Sequence, residues 1–242
     1  MRRKLIIGLC ILVVLLAGIG IYLRNGFYGN CVPERRSFYV RSGSEYRTLE
    51  DSLDAAIAHT AFFRFYARHI ELDRSFKPGH YVLEPGMNVV QVARMLKLGL
   101  QTPVRVTINN VRTRAQLAGK LARQIEADSA TIVAALTDPA TARKAGFDSV
   151  TLFSMFIPDT YEFYWTVSPA QFIERMRREY DRFWTPQRDA KRQRSGLSRL
   201  EVMTLASIVY EETRQSDEMP RIAGVYINRL RKGWPLQADP TV

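Results

Sequence analysis

The chain has 242 residues, and 35 lysines and arginines against 24 aspartates and glutamates give it a formal net charge of +11. A hydrophobic content of 46% excludes a disordered chain, and the length is sufficient for one or two domains with a buried core. The cysteines are Cys10 and Cys31, and Cys10 lies in an apolar run, which excludes a disulfide framework and a cysteine metal site. Because the three histidines are scattered without ligand spacing, we expect neither a metal nor a cofactor.

The first pattern along the chain is an uncharged apolar run over residues 5–23. As a helix this run would be about 28 Å long, close to the thickness of a hydrocarbon core. Arg2, Arg3 and Lys4 precede it and Arg24 follows it, which favours a cytoplasmic N-terminus. The pattern predicts a single-pass anchor in the inner (cytoplasmic) membrane, with the bulk of the chain on the periplasmic or extracytoplasmic side. A cleaved signal peptide is the alternative, but the run is long and no typical cleavage site precedes the next charges.

A second group of basic residues lies in residues 175–194, where arginines and a lysine alternate with Glu179, Asp181 and Asp189. This mixture of charges is typical of a solvated helix and loop, so we expect an exposed segment of minor catalytic importance, whose charge reversal at Arg188, Lys191 and Arg192 leaves folding nearly unchanged. Attraction to an anionic polymer of the cell envelope is the functional alternative. Nucleic acid is not an expected partner, since the membrane span argues against an intracellular binder.

After an irregular connector over residues 25–36, strand and helix patterns alternate. They predict a small α/β unit over residues 37–110. Its expected elements are strands at 37–40, 80–83 and 102–108 and helices at 48–58, 61–69 and 89–98.

Helices dominate the prediction for residues 111–242. Thr113 with Gln116 and Ser198 with Glu201 are predicted capping boxes. The expected elements are a helix after 113, helices at 129–137, 140–145, 169–184, 200–213 and 217–232, and a strand at 161–164. The predicted fold class is therefore α+β: a transmembrane helix, a small α/β subdomain, and a helix-rich α/β domain.

One carboxylate stands out in the helix predicted at 200–213, which is apolar almost all round and is therefore expected to be buried. Glu212 follows three apolar residues at helical spacing, whereas Glu211 follows Thr204 and Ser207. A carboxylate on a buried face loses hydration, which favours the protonated form that a general acid requires. The alternative is an ion pair between Glu212 and an arginine such as Arg214 or Arg229.

Three sequence blocks then resemble a known family. They are LASIVYEET at 205–213, VYINRL at 225–230 and LQADPTV at 236–242, and in this order and spacing they resemble the YceG-like family of endolytic murein transglycosylases. FIPDTYEF at 156–163 is similar to a further family segment, and FKPGHYVLEPGM at 76–87 is similar to its LysM-like subdomain.

The resemblance implies a membrane-anchored lytic transglycosylase that cleaves the MurNAc-GlcNAc bond inside nascent glycan strands and leaves 1,6-anhydroMurNAc ends. It implies that Glu212, directly before Thr213, is the catalytic acid and base, and that the C6 hydroxyl of the sugar is the nucleophile. Tyr210 stands where other members carry a glutamate, so position 210 is not expected to supply the acid. The implied partners are peptidoglycan glycan strands, the membrane and, as further candidates, peptidoglycan synthases.

The remaining site residues are assigned by their chemistry. Asn228, Gln237 and Asp239 carry groups suited to sugar hydroxyls and N-acetyl amides, and Tyr161 is expected to present its ring to a sugar face. Roles on a helix surface, in a loop or at the core edge are the alternatives. Family members continue beyond the last block, so residues 111–242 are expected to form an incomplete catalytic domain. A non-catalytic, membrane-anchored peptidoglycan-binding scaffold of cell-wall assembly is the alternative function.

Overall fold

The computed structural model describes residues 2–238 and confirms a mixed, mostly helical α+β fold. The chain divides into two compact units. The first comprises residues up to Val106 with Gln124–Glu126 and Glu162–Val167, and the second comprises the remainder.

The first unit begins with a long helix followed by a two-stranded sheet and short helices. Its elements are α1 (Arg2–Tyr28), β1 (Arg36–Val40), α2 (Tyr46–Asp54), α3 (Thr60–His69), α4 (Leu72–Ser75), β2 (Gly79–Leu83) and α5 (Val89–Leu98). Strand β1 pairs antiparallel with β2, and Phe38 lies opposite Tyr81. The core of this unit lies between the sheet and helices α2, α3 and α5, and its largest buried side chains include Tyr81 and Phe63.

Helix α1 contains a stretch, Ile6–Tyr28, that is long and apolar enough to cross a membrane by length and composition, and its most apolar 18 residues have a mean hydropathy of 2.9. The helix continues into the predicted connector, so the expectation of an irregular chain at residues 25–28 is wrong. The reason is packing against α3: the Phe27 and Phe62 rings lie 5.0 Å apart. Gly26 is buried beside the same ring, and a Cβ at this position would overlap Phe62.

The second unit consists mainly of helices. Its elements are α6 (Arg114–Ala122), α7 (Ser129–Thr137), α8 (Pro139–Lys144), a 3-10 helix (Thr151–Met155), α9 (Pro169–Phe183), α10 (Pro186–Ser195), α11 (Arg199–Glu212) and α12 (Met219–Arg231). Strands β3 (Val104–Ile108) and β4 (Asp159–Phe163) form a second two-stranded sheet.

Helix α11 begins where the capping signal predicts. The Ser198 hydroxyl accepts a hydrogen bond from the Glu201 amide at 3.2 Å, and the Glu201 carboxylate accepts one from the Ser198 amide at 2.7 Å. These two bonds satisfy amide donors that the first turn of a helix would otherwise leave free. The predicted capping box of Thr113 and Gln116 is also present.

The expectation that α11 is buried almost all round is wrong. Leu205, Ile208 and Val209 are buried against α12, whereas Ala206 is exposed. Part of the helix surface instead lines an open apolar groove of about 530 Å³ together with residues of α10 and α12. The apolar pattern of α11 therefore reflects one packed face and one groove wall.

The basic segment is less solvated than predicted. Asp189 accepts hydrogen bonds from Arg192 at 3.0 Å and Arg199 at 3.1 Å, and these guanidinium groups lower the pKa of Asp189 to about 2. Arg192 is half-buried and also donates to the Leu197 carbonyl at 2.8 Å. The expectation of an exposed side chain is therefore wrong for Arg192, because its guanidinium joins α10 to the start of α11. The small effect of charge reversal on folding stays a prediction.

The reactivity of the Cys31 thiol provides a test of the buried core of the first unit. The side chain is fully buried, and desolvation raises its pKa to about 11. Since only the thiolate reacts, alkylation of Cys31 near pH 8 should be at least about 100-fold slower in the folded chain than in urea. Mass-resolved iodoacetamide labelling measures the ratio, and equal rates in both states would contradict the buried position.

The Asp189 ion pairs make a prediction about acid stability. A carboxylate whose pKa is lowered by folding stabilises the folded state above its unfolded pKa of about 3.9 and loses that effect as the pH falls through about 2. Asp189→Asn should lower the Tm by a few degrees near pH 6, and the difference from wild type should shrink below about pH 4. Asp217→Asn, at an exposed position, is the control. A pH-independent difference would contradict the ionic origin.

Candidate active site

The end of α11 is fixed by the residue that follows it. Thr213 is buried and extended, with φ −147° and ψ 148°, so the helix ends directly after Glu212. The Thr213 hydroxyl donates to the Glu218 carboxylate at 2.8 Å and accepts from the Gln215 amide at 3.0 Å. These bonds stabilise the turn between α11 and α12, which sets the position of the last helical residue.

Among the described residues, Glu212 contacts the buried cluster through a hydrogen bond from Tyr226. The Tyr226 hydroxyl donates to Glu212 Oε1 at 2.7 Å, and Tyr226 itself is only 6% exposed. The Arg229 guanidinium lies 5.9 Å from the Tyr226 ring centroid and donates to the Leu236 carbonyl. Tyr226 is therefore held on α12 by packing and places its hydroxyl at the end of α11.

The carboxylate of Glu212 is exposed, so the expectation of a buried, dehydrated acid is wrong. Glu212 is the last residue of α11 and lies beyond Ile208 and Val209, the last helical residues that the core covers. The predicted helix face is nevertheless the one that meets α12, because Tyr226 belongs to the same buried cluster as Ile208 and Val209.

Glu211 lies in a different environment. Its half-buried carboxylate pairs with Arg112, and Arg214 lies 3.7 Å from its other oxygen. Arg214, which was considered as a partner of Glu212, instead lies beside the Glu211 carboxylate. Arg229, the other arginine considered, lies against the Tyr226 ring. Arg112 lies 99 residues before Glu211, and sequence spacing alone gives no signal for that pair.

A second polar contact lies beside this ion pair. The Tyr210 hydroxyl donates to Asn110 Oδ1 at 3.1 Å, and the Arg214 guanidinium lies 4.1 Å from the Tyr210 ring centroid. Position 210, where the family resemblance expected no acid, therefore connects α11 to the segment before α6.

The described residues among the predicted sugar-binding set differ in their exposure. Tyr161 is buried, and its hydroxyl donates to the Ile157 carbonyl at 2.7 Å. Burial raises the pKa of Tyr161 to about 12. The prediction of an exposed sugar platform at Tyr161 is therefore wrong, because the ring packs inside the second unit.

Asn228 and Gln237 are both exposed. Asn228 lies two residues after Tyr226, or about 200° around α12, on the opposite side from the hydroxyl that reaches Glu212. Gln237 has a left-handed backbone with φ 52° and follows Leu236, whose carbonyl Arg229 binds. Asp239 lies outside the described residues.

Within residues 2–238, no group of three or more histidine, cysteine, aspartate or glutamate side chains could hold a metal ion. The chemistry available at the end of α11 is that of a solvent-accessible carboxyl group oriented by a phenol.

The chain is similar in sequence and in structure to known proteins. The model of the YceG-like family matches residues 38–242. An endolytic murein transglycosylase from Bacillus subtilis is 24% identical over 220 residues, which cover 84% of this chain and 61% of that protein. A protein of the same name from Streptococcus pneumoniae is 23% identical over 230 residues, which cover 83% of this chain and 41% of that protein.

The chain thus spans about three fifths and two fifths of the length of these two curated relatives. A crystal structure of a YceG-like protein from Listeria monocytogenes has a TM-score of 0.52 to this chain at 24% identity. The match covers 86% of this chain and 74% of the Listeria chain, and it shows a shared fold.

Proposed function

The chain belongs to the YceG-like family, and we propose that it is a membrane-anchored endolytic lytic transglycosylase acting on peptidoglycan. Its substrate in this proposal is the MurNAc-GlcNAc bond of nascent glycan strands. The names of the curated relatives support this activity. The observation that carries the proposal is the exposed Glu212 carboxylate, oriented by Tyr226 at the C-terminal end of α11.

A single carboxyl group can perform the proposed reaction. Protonated Glu212 gives its proton to the glycosidic oxygen while the bond from that oxygen to C1 of the muramic acid breaks. The C6 oxygen of the same sugar bonds to C1, and the Glu212 carboxylate accepts the C6 hydroxyl proton. The products are a 1,6-anhydroMurNAc end and a free GlcNAc hydroxyl, and Glu212 returns to its protonated form without consuming water.

The two neighbouring glutamates have environments that fit different roles. The guanidinium groups of Arg112 and Arg214 stabilise a negative charge on Glu211, which suits a structural ion pair. Glu212 instead accepts a hydrogen bond from the Tyr226 hydroxyl at the C-terminal end of α11, which orients its carboxyl group without an ion pair among the described residues.

Other parts of the proposal concern binding. Helix α1 is the proposed membrane anchor, and residues 37–110 are the proposed LysM-like subdomain, which would bind glycan. Asn228, Gln237 and Asp239 remain candidate hydrogen-bond donors and acceptors for the glycan, and peptidoglycan synthases remain candidate partners.

The first test compares the two glutamates in the protein as the cell makes it. Glu212→Gln keeps the side-chain shape but removes the transferable proton, so cleavage of uncrosslinked glycan strands should fall at least about 100-fold. Glu211→Gln is the matched control and should retain most of the activity. Release of 1,6-anhydro-muropeptides, read by mass, measures both rates, with Tm and glycan pull-down reporting folding and binding.

Full activity of Glu212→Gln would contradict the assigned acid. If the protein as the cell makes it bound glycan strands with no cleavage at all, the non-catalytic scaffold would replace the enzyme as the function.

A separate test concerns the anchor. Arg2, Arg3 and Lys4 before the apolar stretch of α1 predict that the C-terminal end lies outside the cytoplasm. An alkaline phosphatase reporter fused after Val242 should be active in cells, whereas a green fluorescent protein fused at the same position through the same export route should be dark. The opposite pattern would overturn the topology and the access to peptidoglycan.

A further inference from the structure

Helix α3 lies beside the end of α1 and not beyond it. The Tyr22 ring of α1 lies 5.3 Å from the Phe62 ring of α3, and Phe27 lies 5.0 Å from Phe62 and 5.9 Å from Phe65. Helix α5 also contacts α1 within the same unit. The last two turns of α1 are therefore packed against the folded part of the first unit.

This packing fixes the depth of α3 if α1 crosses a membrane. Tyr22 belongs to the uncharged apolar run, which would occupy the hydrocarbon core. The 23-residue span Ile6–Tyr28 is about 35 Å long as a helix, roughly 5 Å more than the hydrocarbon thickness. Its last turn, with the α3 residues that contact it, would then lie at the level of the lipid headgroups.

The surface of the first unit next to this contact has the chemistry of a membrane interface. Phe65, Leu98 and Leu100 are 68%, 67% and 59% exposed, although they are large and apolar. Leu98 and Leu100 line a groove together with Tyr66. The ring centroid of Tyr66 also lies 6.4 Å from that of Phe27. Aromatic and aliphatic side chains at this level gain from partial burial among headgroups and acyl chains.

Positive charge lies among these apolar residues. Arg68 is exposed three residues after Phe65 on α3, and Arg94 is exposed four residues before Leu98 on α5, so each arginine shares a helix face with an exposed apolar residue. Basic residues near an anionic membrane surface are attracted to it. By contrast, α2 exposes the acidic Asp51, which an anionic membrane would repel.

We propose that the α3–α5 surface, defined by Phe65, Arg68, Arg94, Leu98 and Leu100, is seated in the headgroup region of an anionic phospholipid bilayer. This proposal rests on the proposed membrane anchor. It means that the first unit is held against the membrane by a broad surface and does not hang from α1 on a flexible tether. Gly26 supports this arrangement, because its missing side chain lets α1 approach Phe62 closely.

Depth measurements on the whole chain in lipid nanodiscs test the proposal. Phe65→Cys, Leu98→Cys and Asp51→Cys are each made with Cys10→Ser and labelled with a nitroxide, while the wild-type chain is labelled at Cys10. Buried Cys31, whose pKa is raised to about 11, should stay unlabelled in the folded chain. In discs with phosphatidylglycerol, the labels at positions 65 and 98 should collide more often with oxygen than with a water-soluble nickel complex. The label at position 51 should show the reverse.

The label at Cys10 distinguishes a failure of the membrane anchor from a failure of the docked α3–α5 surface. A deep Cys10 label with aqueous labels at 65 and 98 would overturn the docked surface while the anchor stands, and an aqueous Cys10 label would overturn both. Arg68→Glu with Arg94→Glu, or discs of phosphatidylcholine alone, should shift the labels at 65 and 98 toward water. Unchanged depth in both conditions would overturn the role of anionic lipid.

Discussion

The packing of α11 against α12 is the contact on which the candidate site depends. Leu205, Ile208 and Val209 form a small buried cluster with Tyr226, and burial of each such side chain is worth roughly 1.5–3 kcal/mol. The cluster aligns the two helices so that the Tyr226 hydroxyl reaches Glu212. The position of the Glu212 carboxyl group therefore follows from apolar packing one turn away from it.

The turn at Thr213 adds a second constraint, because helix ends fray unless their polar groups are bonded. Thr213 binds the Glu218 carboxylate at 2.8 Å, which keeps α11 from continuing and brings α12 back alongside it. As a result, the Glu211 carboxyl group forms an ion pair with Arg112, and the neighbouring Glu212 carboxyl group is oriented by the Tyr226 hydroxyl. In the proposed reaction the nucleophile is intramolecular, since the C6 hydroxyl is already held next to C1 by the sugar itself.

Local signals predicted much of the fold. The bounds of α5 were predicted correctly because Asn88 caps its start and Gly99, with φ 69°, ends it. Contacts between distant residues were not predictable in this way. The burial of Tyr161, the pairing of Arg112 with Glu211 and the exposure of Glu212 are set by tertiary packing that periodicity does not encode. Charge patterning likewise missed Arg192, because a basic residue paired with Asp189 has the same sequence signature as a solvated one.

The central claim is that Glu212 directs attack by the sugar's own C6 hydroxyl and not by water. Digestion of uncrosslinked glycan strands in water enriched in oxygen-18, followed by mass spectrometry of the new ends, measures this choice directly. The account predicts anhydro ends, lighter than reducing ends by one water and free of the heavy isotope. Reducing ends that carry oxygen-18 would show that water is the nucleophile and would contradict the proposed mechanism.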